Sequence, residues 1–355
     1  MKLRVQSSIV RSQTDNLTQV DARKPTALFA CVLALLAATP SMAKPNVAEN
    51  GSFSIVNEND FYADGGPDED YSNGLEISFL GAPSRAPGWT PPLVKLLTDP
   101  TDTVSTRLHF AVGHQIYTPE DISLEVPDPE DRPYAGLLYG SVGTVINTND
   151  RRFDQIQGLF GVVGPASQAD SLQLLWHDVI QAQRPNGWET QISNRVVGEL
   201  SWRRTYVLPL VGQPRERGFG VQFAPHAGFR AGNLTTSVGA GGLLRLGLNL
   251  PVDITPAQLK PNQPGNAYFE PTAKAGIYGF AGVEGRYVPR NLFLDETSDN
   301  GFGVTREDFV GDAIIGAAAY FGPARLSFSF TFRTTQYNEQ ERSTQFGSAA
   351  LVFNF

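Results

Sequence analysis

The sequence has 355 residues, of which 41% are hydrophobic and 18% are charged, and its net charge is −8. An acidic chain lacks the basic surface that nucleic-acid binding needs to neutralise phosphates, so that class of function is excluded. The low share of charged residues and the 22 phenylalanines also exclude a disordered chain, because too few like charges repel and many aromatic side chains promote collapse.

The first predicted element is a secretory signal peptide over residues 1–43. Basic residues precede an apolar run, residues 26–38, and small residues suited to processing end at Ala43. The run is too short for a membrane anchor, which needs roughly 20 apolar residues. Cys31 is the sole cysteine and lies in this segment, so the rest of the chain can form no disulfide or thiolate metal site. We expect an exported protein with one domain over 44–355.

Beyond the signal peptide, large apolar residues alternate with small or polar ones. In residues 326–332 the apolar side chains alternate with serine and threonine, and in 244–250 Arg245 lies on the face opposite the leucines. Residues 75–79 place Glu76 in the same way. A bulky apolar face opposite a polar one is typical of transmembrane strands, with lipid outside and a packed or wet lumen inside. Soluble sheets also alternate, so a periplasmic β-sandwich is the alternative.

Twelve segments carry this strand pattern. They are residues 52–58, 72–80, 106–116, 136–147, 154–163, 196–208, 219–230, 240–250, 271–285, 308–321, 324–335 and 346–355. An even number suits an outer-membrane barrel with both termini on the periplasmic side, and Phe355 ends an aromatic-rich strand, as is usual in such barrels. We therefore predict an all-β fold, a transmembrane antiparallel β-barrel of about 12 strands, with a short helical insertion in an outer loop.

Three long insertions interrupt the strands, at 81–105, 117–135 and 164–195. The third is the clearly helical one, because its apolar residues recur at helical spacing. It carries His177, a candidate general base, since an unperturbed histidine titrates near pH 6.5. A helix that merely packs across the barrel mouth is the alternative. The other three histidines lie on predicted strands, where a structural role is the simpler interpretation.

A second group of polar residues follows the first predicted strand. Residues 58–61 and 68–74 combine carboxylates, side-chain amides and hydroxyls. Such groups supply the oxygen ligands that Ca²⁺ prefers, although the spacing differs from an EF-hand loop. A solvated acidic hairpin turn is the alternative.

Together, these motifs resemble the outer-membrane lipid A 3′-O-deacylases. The matching residues are Glu58-Asn59-Asp60, Asp70-Tyr71-Ser72-Asn73-Gly74, Ile116-Tyr117-Thr118-Pro119, Asp131-Arg132-Pro133-Tyr134-Ala135-Gly136, His177, Gly187-Trp188, Gln191, Asn194 and Phe355, in that order. The resemblance runs from about residue 50 to the C-terminus. It implies a twelve-stranded barrel in the outer membrane of a Gram-negative bacterium, with a Ca²⁺-dependent active site between the wall and the outer loops. The implied reaction removes the 3′-linked acyloxyacyl group of lipid A by ester hydrolysis.

The resemblance also implies roles for single residues. His177 matches the histidine that activates water, and Asn59 and Asp60 match an Asn-Asp pair in which Asp60 belongs to the calcium site and Asn59 contacts the oxyanion or orients the substrate. Ser72 matches a catalytic position that is often threonine. Gln183 stands where the family has a glutamate of the site. Its amide oxygen can still ligate Ca²⁺, but less strongly than a carboxylate.

A second departure lies in the loop after Tyr117. Glu120 and Asp121 stand where the family has basic residues suited to the phosphates of lipid A. Expected partners are lipid A or lipopolysaccharide, outer-membrane lipids, and the barrel-assembly machinery during biogenesis. Two alternatives stay open. One is an outer-membrane phospholipase-type esterase, although such barrels usually pair a serine with the histidine. The other is a catalytically weakened structural or channel barrel, which Gln183 keeps open.

Overall fold

Twelve long antiparallel strands form one sheet that closes on itself. The computed structural model describes residues 51–63, 68–83, 90–254, 268–297, 301 and 303–355, so the predicted signal peptide lies outside the described residues. The barrel strands are β1 (Ser52–Asn59), β2 (Asp70–Leu80), β3 (Val104–Thr118), β4 (Ala135–Thr148), β5 (Arg152–Val163), β6 (Arg195–Tyr206), β7 (Phe219–Gly232), β8 (Thr235–Leu248), β9 (Ala275–Asn291), β10 (Phe309–Phe321), β11 (Ala324–Arg333) and β12 (Thr344–Asn354).

Closure is visible in the strand register. Strand β1 pairs with β12, where Ser52 lies opposite Asn354, and β6 pairs with β7, where Glu199 lies opposite Gly232. Every barrel strand therefore has a neighbour on both sides. The predicted twelve-stranded barrel is confirmed, and the β-sandwich alternative is excluded.

Three short strands, three α-helices and three 3-10 helices (Asp60–Tyr62, Pro165–Ser167 and Trp188–Thr190) complete the described secondary structure. The short strands are Leu208–Val211, Val252–Asp253 and Phe269–Glu270, and the helices are α1 (Thr90–Leu97), α2 (Ala169–Ile180) and α3 (Leu292–Asp295). In the part of the chain that the structure describes, no helix is long and apolar enough to cross a membrane. Helix α2 confirms the predicted helical insertion, and α1 shows that the insertion at 81–105 also contains a helix.

The two faces of the barrel differ as the alternation predicts. Val112 and Phe160 are more than 60% exposed on the outside, whereas Glu76 and Arg245 are buried inside. Glu76 accepts a hydrogen bond from the hydroxyl of Tyr139 on β4 at 2.8 Å. The predicted inward positions of Glu76 and Arg245 are thus confirmed.

Packed side chains fill the lumen at the end where Ser52 lies opposite Asn354. The hairpin of Val252–Asp253 and Phe269–Glu270 is buried there and bonds to arginines of the wall. Asp253 pairs with Arg325 at 2.7 Å and also with Arg245, and Glu270 pairs with Arg107 at 3.0 Å. A buried charge without a partner is strongly destabilising. These ion pairs therefore hold the hairpin inside the barrel.

A second cluster fills the lumen near the opposite end. Tyr117 of β3 packs against Phe293 of α3 with ring centroids 4.2 Å apart, and Tyr71 packs against Phe346 of β12 at 5.1 Å. The cluster also contains residues of β4, β5 and β6. The described side chains therefore form a packed interior rather than the lining of a wide channel.

Candidate active site

The loops after β1, β3 and β5 meet on the outer surface of the wall, at the end of the barrel opposite the start of β1 and the end of β12. At Gly136 of β4 the chain leaves no room for a side chain, because a Cβ there would lie 2.1 Å from the Cβ of Ala169 in α2. Nε2 of His114 on β3 donates to the carbonyl of Ser167 at 3.1 Å. Gly136 and His114 share the face of the exposed Leu138 and Val112, so α2 packs on the outside of the barrel.

Local geometry at the end of α2 fixes the ring of His177. The helix ends at Ile180, and the φ of 58° at the next residue, Gln181, turns the chain back. This turn brings the backbone carbonyl of Gln183 onto Nδ1 of His177. Because a carbonyl only accepts, Nδ1 carries the proton, and Nε2 is the ring atom that can gain or lose one.

Nε2 of His177 lies 2.9 Å from the Oδ2 atom of Asp68, in the loop after β1. The imidazole is almost completely buried. Burial alone lowers the pKa of His177, but its hydrogen bonds to Asp68 and Gln183 and the negative charge of Asp68 outweigh burial and raise this pKa above its ordinary value. The ring is thus a buried, positioned acid–base group.

Gln173 holds Asp68 in place. It lies four residues before His177 on α2, so both side chains point to the same side of the helix. Its Nε2 donates to the same carboxylate oxygen of Asp68, and its Oε1 accepts from the indole nitrogen of Trp188 at 2.7 Å. Gln173 is not among the predicted site residues, although its i, i+4 spacing from His177 was a signal in the sequence.

Asp60 lies beside this group and is also buried. Its two carboxylate oxygens accept from the backbone N–H groups of Phe61 and Glu69, each at 2.8 Å. Burial and the negative charge of Asp68 raise the pKa of Asp60 well above its usual range, more than these two hydrogen bonds lower it. The carboxylates of Asp60 and Asp68 therefore lie close enough for their charges to interact.

The predicted residues Asn59 and Ser72 adjoin Asp60. The side-chain amide of Asn59 donates to the backbone carbonyl of Ser72 at 2.7 Å, and its Oδ1 accepts from the N–H of Phe61 at 2.9 Å. The hydroxyl of Ser72 lies 2.6 Å from that of Thr118 on β3. The structure thus brings Asn59, Asp60 and Ser72 together, and Asp68 connects this group to His177.

Gln183 is placed differently. Its side chain is exposed, and its contact with the site is the backbone carbonyl on His177. Its role as a metal ligand stays a prediction.

One feature of the site fits a hard divalent cation. The carboxylates of Asp60 and Asp68 repel each other, and a cation would relieve that repulsion. Among the described residues no group of three or more His, Cys, Asp or Glu side chains is arranged to hold a metal ion, so neutral oxygens such as those of Asn59 and Ser72 would have to contribute. Ca²⁺ accepts such mixed oxygen ligands.

Comparison with known proteins places this chain in a family. The family model described as "Outer membrane protein LpxR" matches residues 28–355. LpxR from Salmonella typhimurium has 20% sequence identity and a TM-score of 0.69, and the match covers 86% of this chain and all of that chain.

Two other barrels match with lower TM-scores. The β-domain of the Bordetella autotransporter BrkA matches with 9% identity and a TM-score of 0.42, over 86% of this chain and 99% of that chain. The translocator domain of NalP from Neisseria meningitidis matches with 11% identity and a TM-score of 0.40, over 96% of this chain and all of that chain. No curated protein matches the sequence. On the evidence of the family model, the chain belongs to the LpxR family of outer membrane proteins.

Proposed function

We propose that this member of the LpxR family is an outer-membrane lipid A deacylase, which hydrolyses the 3′-linked acyloxyacyl ester with His177 as the base that activates water. The observation that carries the proposal is the position of the His177–Asp68 pair on the outer surface of the barrel wall. A lipid of the outer leaflet reaches that surface directly, whereas a substrate in the lumen does not.

The proton chemistry follows from the two nitrogens of His177. The carbonyl of Gln183 holds the proton on Nδ1, so Nε2 is the atom that accepts a proton from the attacking water. While Asp68 lies next to Nε2, this contact keeps a proton on that nitrogen as well. Asp68 must therefore move aside and Nε2 must release that proton to solvent, so that the attacking water can take the place of the carboxylate and give its own proton to Nε2. The negative charge of Asp68 then stabilises the imidazolium that forms.

Asn59 is suited to stabilise the oxyanion. Its side-chain amide has two hydrogens, and within the described residues one of them donates to the carbonyl of Ser72. The second can donate to the oxygen on which negative charge develops. The hydroxyl of Ser72, bonded to Thr118, positions this carbonyl at the edge of β2.

Ca²⁺ is the proposed cofactor. Asp60 and Asp68 would hold it, and it would polarise the ester carbonyl as a Lewis acid. The repulsion between the two carboxylates supports this assignment. Gln183 as a further ligand, export by the signal peptide over 1–43, and insertion by the barrel-assembly machinery stay predictions.

Two alternatives have weaker support. A serine-dependent phospholipase needs a serine hydroxyl on the histidine, but among the described residues the hydrogen-bond partners of His177 are Asp68 and Gln183. A channel needs an open lumen, but packed clusters fill both of its ends.

The substrate class is tested with the purified barrel in mixed vesicles that contain both lipid A and glycerophospholipid. Mass spectrometry of the products should show lipid A without one acyloxyacyl unit and unchanged glycerophospholipid. Release of fatty acid from the glycerophospholipid alone would contradict the proposal and support the esterase alternative.

A further inference from the structure

On helix α2 the polar side chains face the protein and the apolar side chains are exposed, the reverse of a surface helix on a soluble protein. The side chains that face the barrel wall include the polar Gln173 and His177, which are buried. The exposed side chains include Leu175 and Val179, which are 62% and 67% exposed, and also Trp176. Water does not favour such a face, because proteins in water rarely leave a contiguous apolar patch uncovered.

The remaining surface of α2 carries the polar residues Ser171 and Asp178 together with the half-buried Leu174, so the helix has a third, partly polar side. At 100° per residue, Ser171 and Asp178 fall on one side, away from the wall and next to Leu175 at the edge of the apolar side. Asp178 is exposed and pairs with Arg184 at 2.8 Å. A helix with a wall side, an apolar side and a charged side fits a position along the boundary between hydrocarbon and water.

The apolar side of α2 continues the lipid-facing surface of the barrel. Leu75, His114, Leu138 and Val196 belong to one row of paired outward positions across β2 to β6. In this row Leu75, Leu138 and Val196 are exposed, whereas His114 is covered by the segment that leads into α2. The apolar belt of the wall therefore reaches the level at which α2 begins.

We infer that the exposed apolar side of α2 lies in the acyl-chain region of the outer leaflet. This side is formed by Leu172, Leu175, Trp176 and Val179. Continuity with the lipid-facing wall identifies hydrocarbon as the partner. Trp176 suits this place, because tryptophan is enriched at membrane interfaces. As a consequence, lipid esters would reach His177 along this side of α2 without leaving the membrane. This consequence rests on the proposed function, whereas the contact of α2 with the membrane does not.

Nitroxide labels on single cysteines test the contact. The sole native cysteine, Cys31, is replaced by Cys31→Ser, and labels are introduced by Leu175→Cys and Val179→Cys on the apolar side and by Ser171→Cys and Asp178→Cys on the charged side. Phe160→Cys on the exposed wall is the reference for lipid, and Glu125→Cys in the exposed loop after β3 is the reference for water. Collision rates with oxygen and with a water-soluble nickel chelate are measured by electron paramagnetic resonance in vesicles, without substrate.

Labels at 175 and 179 should resemble the label at 160, with frequent oxygen collisions and rare nickel collisions, and labels at 171 and 178 should resemble the label at 125. Labels at 175 and 179 that resemble the one at 125 would overturn the inference, because the helix would then lie in water. Rare collisions of the labels at 175 and 179 with both oxygen and nickel would also overturn the inference, since protein would then cover this side of the helix. Because no turnover is measured, either result is independent of the proposed chemistry.

Discussion

Asp68 and His177 are 109 residues apart in the chain, yet their side chains meet at 2.9 Å on the outer surface of the barrel. One comes from the loop after β1 and the other from the helix after β5, so this contact joins two separate loops. It also sets the protonation of the site, because the carboxylate stabilises the charged form of the imidazole.

The first prediction concerns pH. Since the pKa of His177 in the folded protein is raised above its unfolded value, the contact stabilises the docked α2 fully below about pH 6.5, the unfolded value. That stabilisation is lost as the pH rises through the folded pKa. Amide hydrogen exchange of α2, corrected for the intrinsic pH dependence, should therefore show less protection at high pH. In Asp68→Asn this pH dependence should largely vanish, and an unchanged profile in that variant would contradict the assignment.

The second prediction concerns calcium. Burial and Asp68 raise the pKa of Asp60, so keeping both groups ionised at neutral pH costs stability when no cation is bound. Calcium should raise the unfolding temperature, because a ligand at 100 times its dissociation constant adds about 2.7 kcal/mol. Asp60→Asn should abolish this shift. Glu125→Gln, a change of the same kind in the exposed loop, should preserve it, and a shift that persists in Asp60→Asn would place calcium elsewhere.

The third prediction concerns Gln173. Gln173→Leu keeps the approximate size of the side chain, but it removes the donor to Asp68 and leaves the indole N–H of Trp188 without its acceptor. A buried polar group left unsatisfied costs about 1–3 kcal/mol, so α2 should exchange amide hydrogens faster and activity should fall. Ser171→Ala, on the exposed side of the same helix, should change neither quantity. Equal behaviour of the two variants would show that Gln173 has no positioning role.

The fourth prediction concerns the hairpin inside the lumen. Asp253→Asn leaves Arg245 and Arg325 buried without their shared carboxylate, so the free energy of unfolding should fall by about 3–5 kcal/mol. Asp308→Asn, which breaks an ion pair of a half-exposed carboxylate, should cost less than about 1 kcal/mol. Urea unfolding followed by gel mobility measures both variants. A similar loss in the two would mean that the hairpin does not depend on its buried charges.

Alternation predicted the barrel because each strand of the wall has one face in lipid and one in the lumen. It did not predict the hairpin of Val252–Asp253 and Phe269–Glu270, since two-residue strands are too short to show a period. Strand β9 ends at Asn291, six residues beyond its predicted end, because apolar and polar residues alternate less strictly in its last residues.

The site was partly predictable. The resemblance brought Asn59, Asp60, Ser72 and His177 into one site, and the structure places the first three in contact and connects them to His177. The contact of Asp68 with His177 was not predictable, because it depends on how two loops fold over the wall. The role of Gln183 depends on its backbone carbonyl, which no side-chain pattern reveals.

The central claim is that His177 is the base that activates water for hydrolysis of a lipid A ester. The most direct test is mass spectrometry of lipid A from cells that produce the wild-type chain, His177→Ala or Asp178→Asn, with heat-modifiable gel migration as proof of folding in each case. Asp178 neighbours His177 but faces away from the wall, so Asp178→Asn should behave like the wild type. Wild-type cells should lose one acyloxyacyl unit from lipid A, and cells with His177→Ala should keep it. Loss of that unit in cells with a folded His177→Ala barrel would contradict the account.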